Sequence, residues 1–148
     1  MIVPVPWVFV LTYVVGAGLE WARPRAVAPH AARASTIVGA ALFLAGAAIA
    51  GSGLAIFGKA GTTTVPGESS ATLVTWGPYR FTRNPMYVGL SLAYLGEAGL
   101  LKHVWPVILL PLTIAYLNWI VIPVEEARLQ EKFKDQYEAY RSRVRRWV

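Results

Sequence analysis

"STIVGAALFLAGAAIAGSGLAIF", Ser35 to Phe57, runs for 23 residues without a charge. A helix crossing a hydrocarbon core about 30 Å thick needs roughly 20 such residues, so this stretch reads as a membrane span. Ser35-Thr36 is suited to cap its start. Small residues recur along it (Gly39, Ala40, Ala41, Ala45, Gly46, Ala47, Ala48, Gly51), and small residues let helix backbones approach closely. A helix of this composition is expected at the centre of a bundle.

Working outward, Val5 to Leu19 is a second apolar run. It has no basic leader and continues into Glu20 and Trp21, so it reads as a retained first span rather than a cleaved signal. The connection to Ser35 carries Arg23, Arg25, His30 and Arg33. Beyond Phe57 lies a long loop of turn formers and hydroxyl residues, a feature more often functional than incidental in a small domain. Asn84-Pro85 then reads as the N-cap and first residue of a third helix, because proline lacks only an amide that the first turn leaves unpaired. That helix reaches Leu101, Lys102-His103 turn the chain, and a fourth span runs from Val104 to Ile122 with Pro111 as a kink.

From Glu125 the character changes to "EEARLQEKFKDQYEAYRSRVRRWV". Leu129, Phe133, Tyr137, Tyr140, Val144 and Trp147 follow one another at spacings of four and three. They predict one amphipathic helix that lies on the membrane surface or docks back on the bundle. The chain has 148 residues, 55% of them hydrophobic and 15% charged, and its mean hydropathy is +0.46. Composition and segment lengths together predict an all-α integral membrane bundle of about four transmembrane helices with a C-terminal amphipathic helix. It forms a single domain over residues 1–148. Basic residues concentrate on the side of the 58–84 loop and the tail, which places both termini in the cytoplasm by the positive-inside rule, with the cell inner membrane as the expected location.

Several chemistries are excluded. With no cysteine there is no thiol nucleophile and no thiolate metal site. His30 and His103 sit far apart at span ends, so no metal centre is expected, and no nucleic-acid partner either. "GLAIFGKA", Gly53 to Ala60, has the glycine and lysine spacing of a phosphate loop. It ends a membrane helix, however, and places Ala60 where a magnesium-binding hydroxyl belongs.

What remains is a polar constellation at one membrane interface: "TLVTWGPYRFTRNPMY" (Thr72 to Tyr87), the doublet Glu125-Glu126, and the arginine-rich tail. On physical grounds alone it is a bipolar pocket or a set of interfacial salt bridges. The pattern resembles the integral-membrane methyltransferases of the isoprenylcysteine carboxyl methyltransferase and phospholipid N-methyltransferase superfamily. The likeness covers Thr72 to Val144. It rests on Arg83, Pro85 and Tyr87, on the later Glu125-Glu126, and on Arg143 in "YRSRV", with Asn84 standing where many members have histidine.

The resemblance implies an S-adenosylmethionine-dependent enzyme, with S-adenosylhomocysteine as product, concentrated in residues 72–148. Arg83 is suited to the cofactor carboxylate, joined by helix amides after Asn84. Glu125 or Glu126 is suited to its ammonium and Tyr79 and Tyr87 to its sulfonium, while Leu73 and Val74 flank the adenine. Gly77, Asn84 and Pro85 complete the cofactor-binding set, and Arg83, Glu126 and Arg143 are the catalytic candidates. The expected acceptor is a hydrophobic or amphipathic molecule, an isoprenylcysteine-like carboxylate, a lipid amine or a thiol, entering from the membrane lipid. Glu97, within the third helix, reads first as a structural carboxyl hydrogen-bonded to Tyr94 or Asn118. It also supports a rival reading as a small proton-coupled exporter, and a non-catalytic scaffold subunit is the third reading.

Overall fold

The computed structural model describes residues 5–60 and 72–148, so the 61–71 part of the predicted loop lies outside the described residues. Five α-helices follow in order: α1 (Val5–Ala22), α2 (Pro29–Lys59), α3 (Pro85–Leu101), α4 (Val104–Tyr116) and α5 (Ile122–Arg141). A 3-10 turn, Gly77–Arg80, precedes α3, and a π-helical segment, Leu117–Val121, joins α4 to α5 without a break. No strand occurs among the described residues. Three helical stretches are long and apolar enough to cross a membrane, namely α1, α2 and the rod that begins at Val104. The 17-residue α3, about 26 Å long by helical rise, lies antiparallel along α2 and completes the all-α bundle.

The α2–α3 pair is the tightest in the fold, and its cause is legible in glycine spacing. Gly39, Gly46 and Gly53 recur every seven residues on α2, and Gly89 and Gly96 do so on α3. A seven-residue period keeps one seam facing a partner helix along its length. At this seam a Cβ on Gly39 would come within 2.7 Å of the Leu100 nitrogen, and one on Gly89 within 2.5 Å of the Ala50 nitrogen. Only glycine permits that approach. Ser35 adds a cross-link, its hydroxyl donating to the Gly99 carbonyl at 2.9 Å.

Two readings of α2 are corrected here. The helix starts at Pro29, not at Ser35-Thr36, because proline is well placed at a first turn and the alanine-rich run after it propagates the helix. Nor is α2 central: only 11% of its apolar window is buried, since Ala41, Ala45, Ala47, Ala48 and Gly51 face outward. The middle position belongs to α3, which touches α1, α2 and α4. The core gathers Val5, Phe9, Tyr87, Tyr94, Leu110, Leu117, Val121 and Ile122 from α1, α3 and the rod.

At the end of the bundle remote from the arginine-rich tail, Glu20 of α1 caps α4 from a distance. Its Oε2 accepts the amides of Val104 at 2.7 Å and Trp105 at 3.0 Å. Those are among the orphan donors every helix start presents. The tight turn predicted at Lys102-His103 is present, with Lys102 left-handed at φ 58° and closing α3 through its amide to Ala98.

The tail departs most from expectation. On one straight helix, residues 126 and 146 would stand about 30 Å apart, yet an Arg146 nitrogen lies 2.6 Å from Glu126. The chain therefore reverses, and it does so at Lys134, whose φ of 44° and ψ of −116° interrupt α5. Such a backbone is strained for a residue with a side chain. The predicted apolar stripe is accordingly split, with Leu129 and Phe133 still on the rod and the short helix after Lys134 packing back to bury Tyr137 and Tyr140.

Candidate functional site

The 3-10 turn, the start of α3, the start of α5 and the folded-back tail converge at one end of the bundle. Gly77 opens the turn at φ +62°, and a side chain there would also collide with Ile56. The turn buries Tyr79, whose ring lies 5.4 Å from that of Phe57. Val74 is buried and Leu73 half-buried just before it. Asn84 occupies the N-cap position of α3, as the sequence predicts, but its side chain makes no capping bond. Thr82 takes the Asn84 amide instead, at 3.1 Å. Pro85 follows, fully buried, as the first residue of the helix.

Glu126 lies between two guanidiniums. Arg83 Nη2 reaches its Oε1 at 2.7 Å, while Arg146 meets it side-on, Nε to Oε1 at 3.1 Å and Nη2 to Oε2 at 2.6 Å. The second terminal nitrogen of Arg146 turns to Asn118, donating to its Oδ1 at 3.2 Å, and Trp147 Nε1 shares that oxygen at 3.1 Å. The hydrogen bonds to Glu126 hold the Arg146 guanidinium above its ordinary range, so it stays charged. Arg83 Nη1 is engaged by the tail carbonyls of Val144 at 2.8 Å and Arg141 at 3.3 Å. Arg83 Nε, by contrast, is buried with no partner among the described residues.

Glu125, one residue earlier, is placed quite differently. Its Oε1 accepts the Tyr87 hydroxyl at 2.7 Å, and among the described residues it forms no ion pair. Close by, the Tyr79 hydroxyl is buried with no partner among the described residues. Burial first, then the neighbouring Tyr140 and Glu125, push that phenol well above its usual range, so it remains a neutral donor. Tyr140 fixes the turn from the tail side, donating to the Tyr79 carbonyl at 2.8 Å.

The structure thus brings Arg83, Asn84, Tyr79, Tyr87, Glu125 and Glu126 together and leaves Arg143 outside. Arg143 is exposed, and its Nε bonds to the Ala139 carbonyl in the last turn of α5 at 3.0 Å. Arg146 stands where the sequence reading placed Arg143. Glu97 is exposed on α3. Its expected partners are engaged elsewhere, Tyr94 with the Pro106 carbonyl and Asn118 with the tail.

Residues missed by sequence reasoning are Thr82, Asn118, Tyr140 and Arg146. Of these Asn118 carries a signal, an amide within the apolar run of the fourth span, whereas Arg146 is one of three arginines in "RVRR" and cannot be singled out by type. An apolar trough of about 600 Å³ runs along the outer side of α4, between Val107, Pro111, Ile114 and Trp147, and ends at Asn118.

A family model described as phospholipid methyltransferase matches residues 34–136, well over half of the chain. The chain belongs to the phospholipid methyltransferase family. The match extends the resemblance read from Thr72 back through most of α2, so both sides of the glycine seam lie inside the family region. It stops at Gln136, just after the reversal at Lys134 and before the residues that bind back on the bundle. No curated protein and no solved structure matches the chain.

Proposed function

We propose that this family member transfers a methyl group from S-adenosylmethionine to a hydrophobic or amphipathic acceptor at the cytoplasmic face of the membrane. The observation that carries the reading is Glu125, a carboxyl that forms no ion pair among the described residues and lies beside two tyrosines at the mouth of the bundle. An anion against aromatic rings suits a cationic ligand. The residues fit the cofactor's other groups too. Arg83 Nε offers an unused donor for a carboxylate, in single rather than bidentate contact, and Val74 and Leu73 offer an apolar flank.

When bound, S-adenosylmethionine supplies an electrophilic methyl group on a sulfonium and departs as S-adenosylhomocysteine. The chain's own contribution is to hold two ligands in contact and to keep water out. Glu125 and Tyr87 orient the cation, and the neutral Tyr79 hydroxyl is available to donate to the cofactor carboxylate or to an acceptor oxygen. The tail, seated through Tyr140 and Arg146, covers the site from the aqueous side. The trough along α4 supports an acceptor with an apolar chain, since it opens toward lipid and its polar end is Asn118, one hydrogen bond from Arg146.

The test has two arms. Purified protein in detergent should bind S-adenosylmethionine in a calorimetric titration, with Glu125→Gln weakening it at least tenfold. Membranes incubated with methyl-labelled cofactor should then incorporate label into the organic-extractable fraction. Absence of binding by the parent protein overturns the reading, and so does label that appears only in water-soluble material.

A further inference from the structure

The tail is held by its backbone. Five hydrogen bonds run from Thr82, Arg83 and Asn84 to tail carbonyls between 141 and 146. Beyond the two from Arg83 Nη1 already described, the Arg83 amide donates to the Arg145 carbonyl at 2.9 Å. The Thr82 hydroxyl donates to the Arg146 carbonyl at 3.0 Å, and Asn84 Nδ2 donates to that same oxygen at 2.9 Å. Fixing the Arg146 carbonyl from two sides fixes the direction in which its side chain leaves, toward Glu126 and Asn118. Arg141, Arg143 and Arg145 are left exposed.

We propose that Thr82, Arg83 and Asn84 form a clamp for these carbonyls, and that Asn84 is a positioning residue that acts on the site through Arg146 rather than a ligand of the cofactor. Its link to turnover rests on the methyl-transfer reading above. The chemistry required at position 84 is a single hydrogen-bond donor aimed at a carbonyl oxygen. Asparagine supplies it through Nδ2, and a histidine ring N–H supplies the same. The clamp therefore accounts for an asparagine at a position where histidine would serve equally.

Asn84→Asp isolates this role. It keeps the shape of the side chain, replaces the donor with an acceptor facing a carbonyl, and is at least as good at a helix N-cap. A defect in this variant cannot therefore be assigned to the start of α3. Tail seating is read by trypsin cleavage after Arg141, Arg143 and Arg145, with or without cofactor, and turnover by methyl transfer in parallel.

Asn84→His is expected to keep the tail protected and turnover within about threefold. Asn84→Asp is expected to be cleaved at least tenfold faster at pH 8 and to lose at least tenfold in kcat, with cofactor affinity falling much less. Both should recover as pH falls toward about 5, where a carboxyl beside a carbonyl regains a proton and can donate again. The proposal fails if Asn84→Asp keeps a protected tail. It fails equally if cofactor affinity drops while the tail stays protected, because Asn84 would then be a cofactor ligand. If the parent protein transfers no methyl group, the proposed function fails, while the cleavage comparison still decides whether the clamp exists.

Discussion

Glu125 and Glu126 are neighbours in sequence and opposites in circumstance. Glu126 has both oxygens taken by guanidiniums, and its side chain is only 13% exposed. Glu125 receives one tyrosine hydroxyl and has no cation partner among the described residues. Successive residues on a helix point about 100° apart, so a doublet at a helix start can serve two different neighbourhoods. Here one acid ties the tail to the bundle, and the other, under the proposed function, takes the cationic part of the cofactor. A half-buried pair that is complete contributes structure, whereas a half-buried carboxylate without an ion pair is the feature expected at a binding site.

The largest effect should come from the tied acid. Glu126→Ala leaves Arg83 and Arg146 facing each other with no anion between them, and breaking a pair of this kind costs about 3 kcal/mol. Thermal unfolding in detergent should show a clearly lowered midpoint, with tail cleavage and loss of turnover together. A variant as stable as the parent would dissolve the contrast between the two acids. Next in size is Glu125→Gln, which keeps the hydrogen bond from Tyr87 but removes the charge. The unfolding midpoint should stay near that of the parent, while S-adenosylmethionine binding weakens by about 1.5–3 kcal/mol, at least tenfold. A stability loss matching that of Glu126→Ala would show that both acids are structural.

How much of this was legible beforehand depends on whether the determinant was local. The apolar runs, the turn at Lys102 and the proline start of α3 follow from short stretches, and the chain carries them openly. The seven-residue glycine spacing was equally readable, yet small residues mark a close contact without saying with which helix or on how many sides. The doublet and the segment around Arg83 stand out as one polar constellation by type and position, and the resemblance gives that set its chemistry. The division of labour within the set was not legible, because it depends on where the tail returns. That return is produced by a strained residue, Lys134, whose type gives no hint of a reversal, and by carbonyl acceptors that every sequence possesses. The periodicity from Leu129 to Trp147 was real, and it described surfaces that dock after the chain has turned back.

Arg146 and Arg143 sharpen the comparison at an intermediate scale. Arg146→Ala removes two of the three donors on Glu126 and the link to Asn118, but leaves Arg83 in place, so the anion keeps one partner. Turnover should fall about tenfold, with faster tail cleavage and a modest drop in stability, in keeping with charged hydrogen bonds each contributing about 1.5–3 kcal/mol when fully formed. Arg143→Ala removes an exposed side chain bonded only to the adjacent end of α5, and should change turnover by less than about twofold. Equal losses in the two variants, measured under the same cofactor concentration, would mean that tail charge as a whole matters and that the side-on contact with Glu126 has no special role.

A similarly small effect is expected at Glu97, which serves as the control for both members of the doublet. It is the remaining acid of α3, exposed and one turn from the helix end, where a carboxylate can reach the interfacial water rather than stay in hydrocarbon. The site described above lies at the opposite end of that helix, about 20 Å away by helical rise. Glu97→Gln should therefore bind S-adenosylmethionine as the parent does and keep methyl transfer within about threefold. The same variant tests the exporter reading, for which a membrane carboxyl that gains and loses a proton is indispensable. Proton-driven efflux from vesicles that is present in the parent and abolished by Glu97→Gln would make this acid, and not Glu125, the functional one.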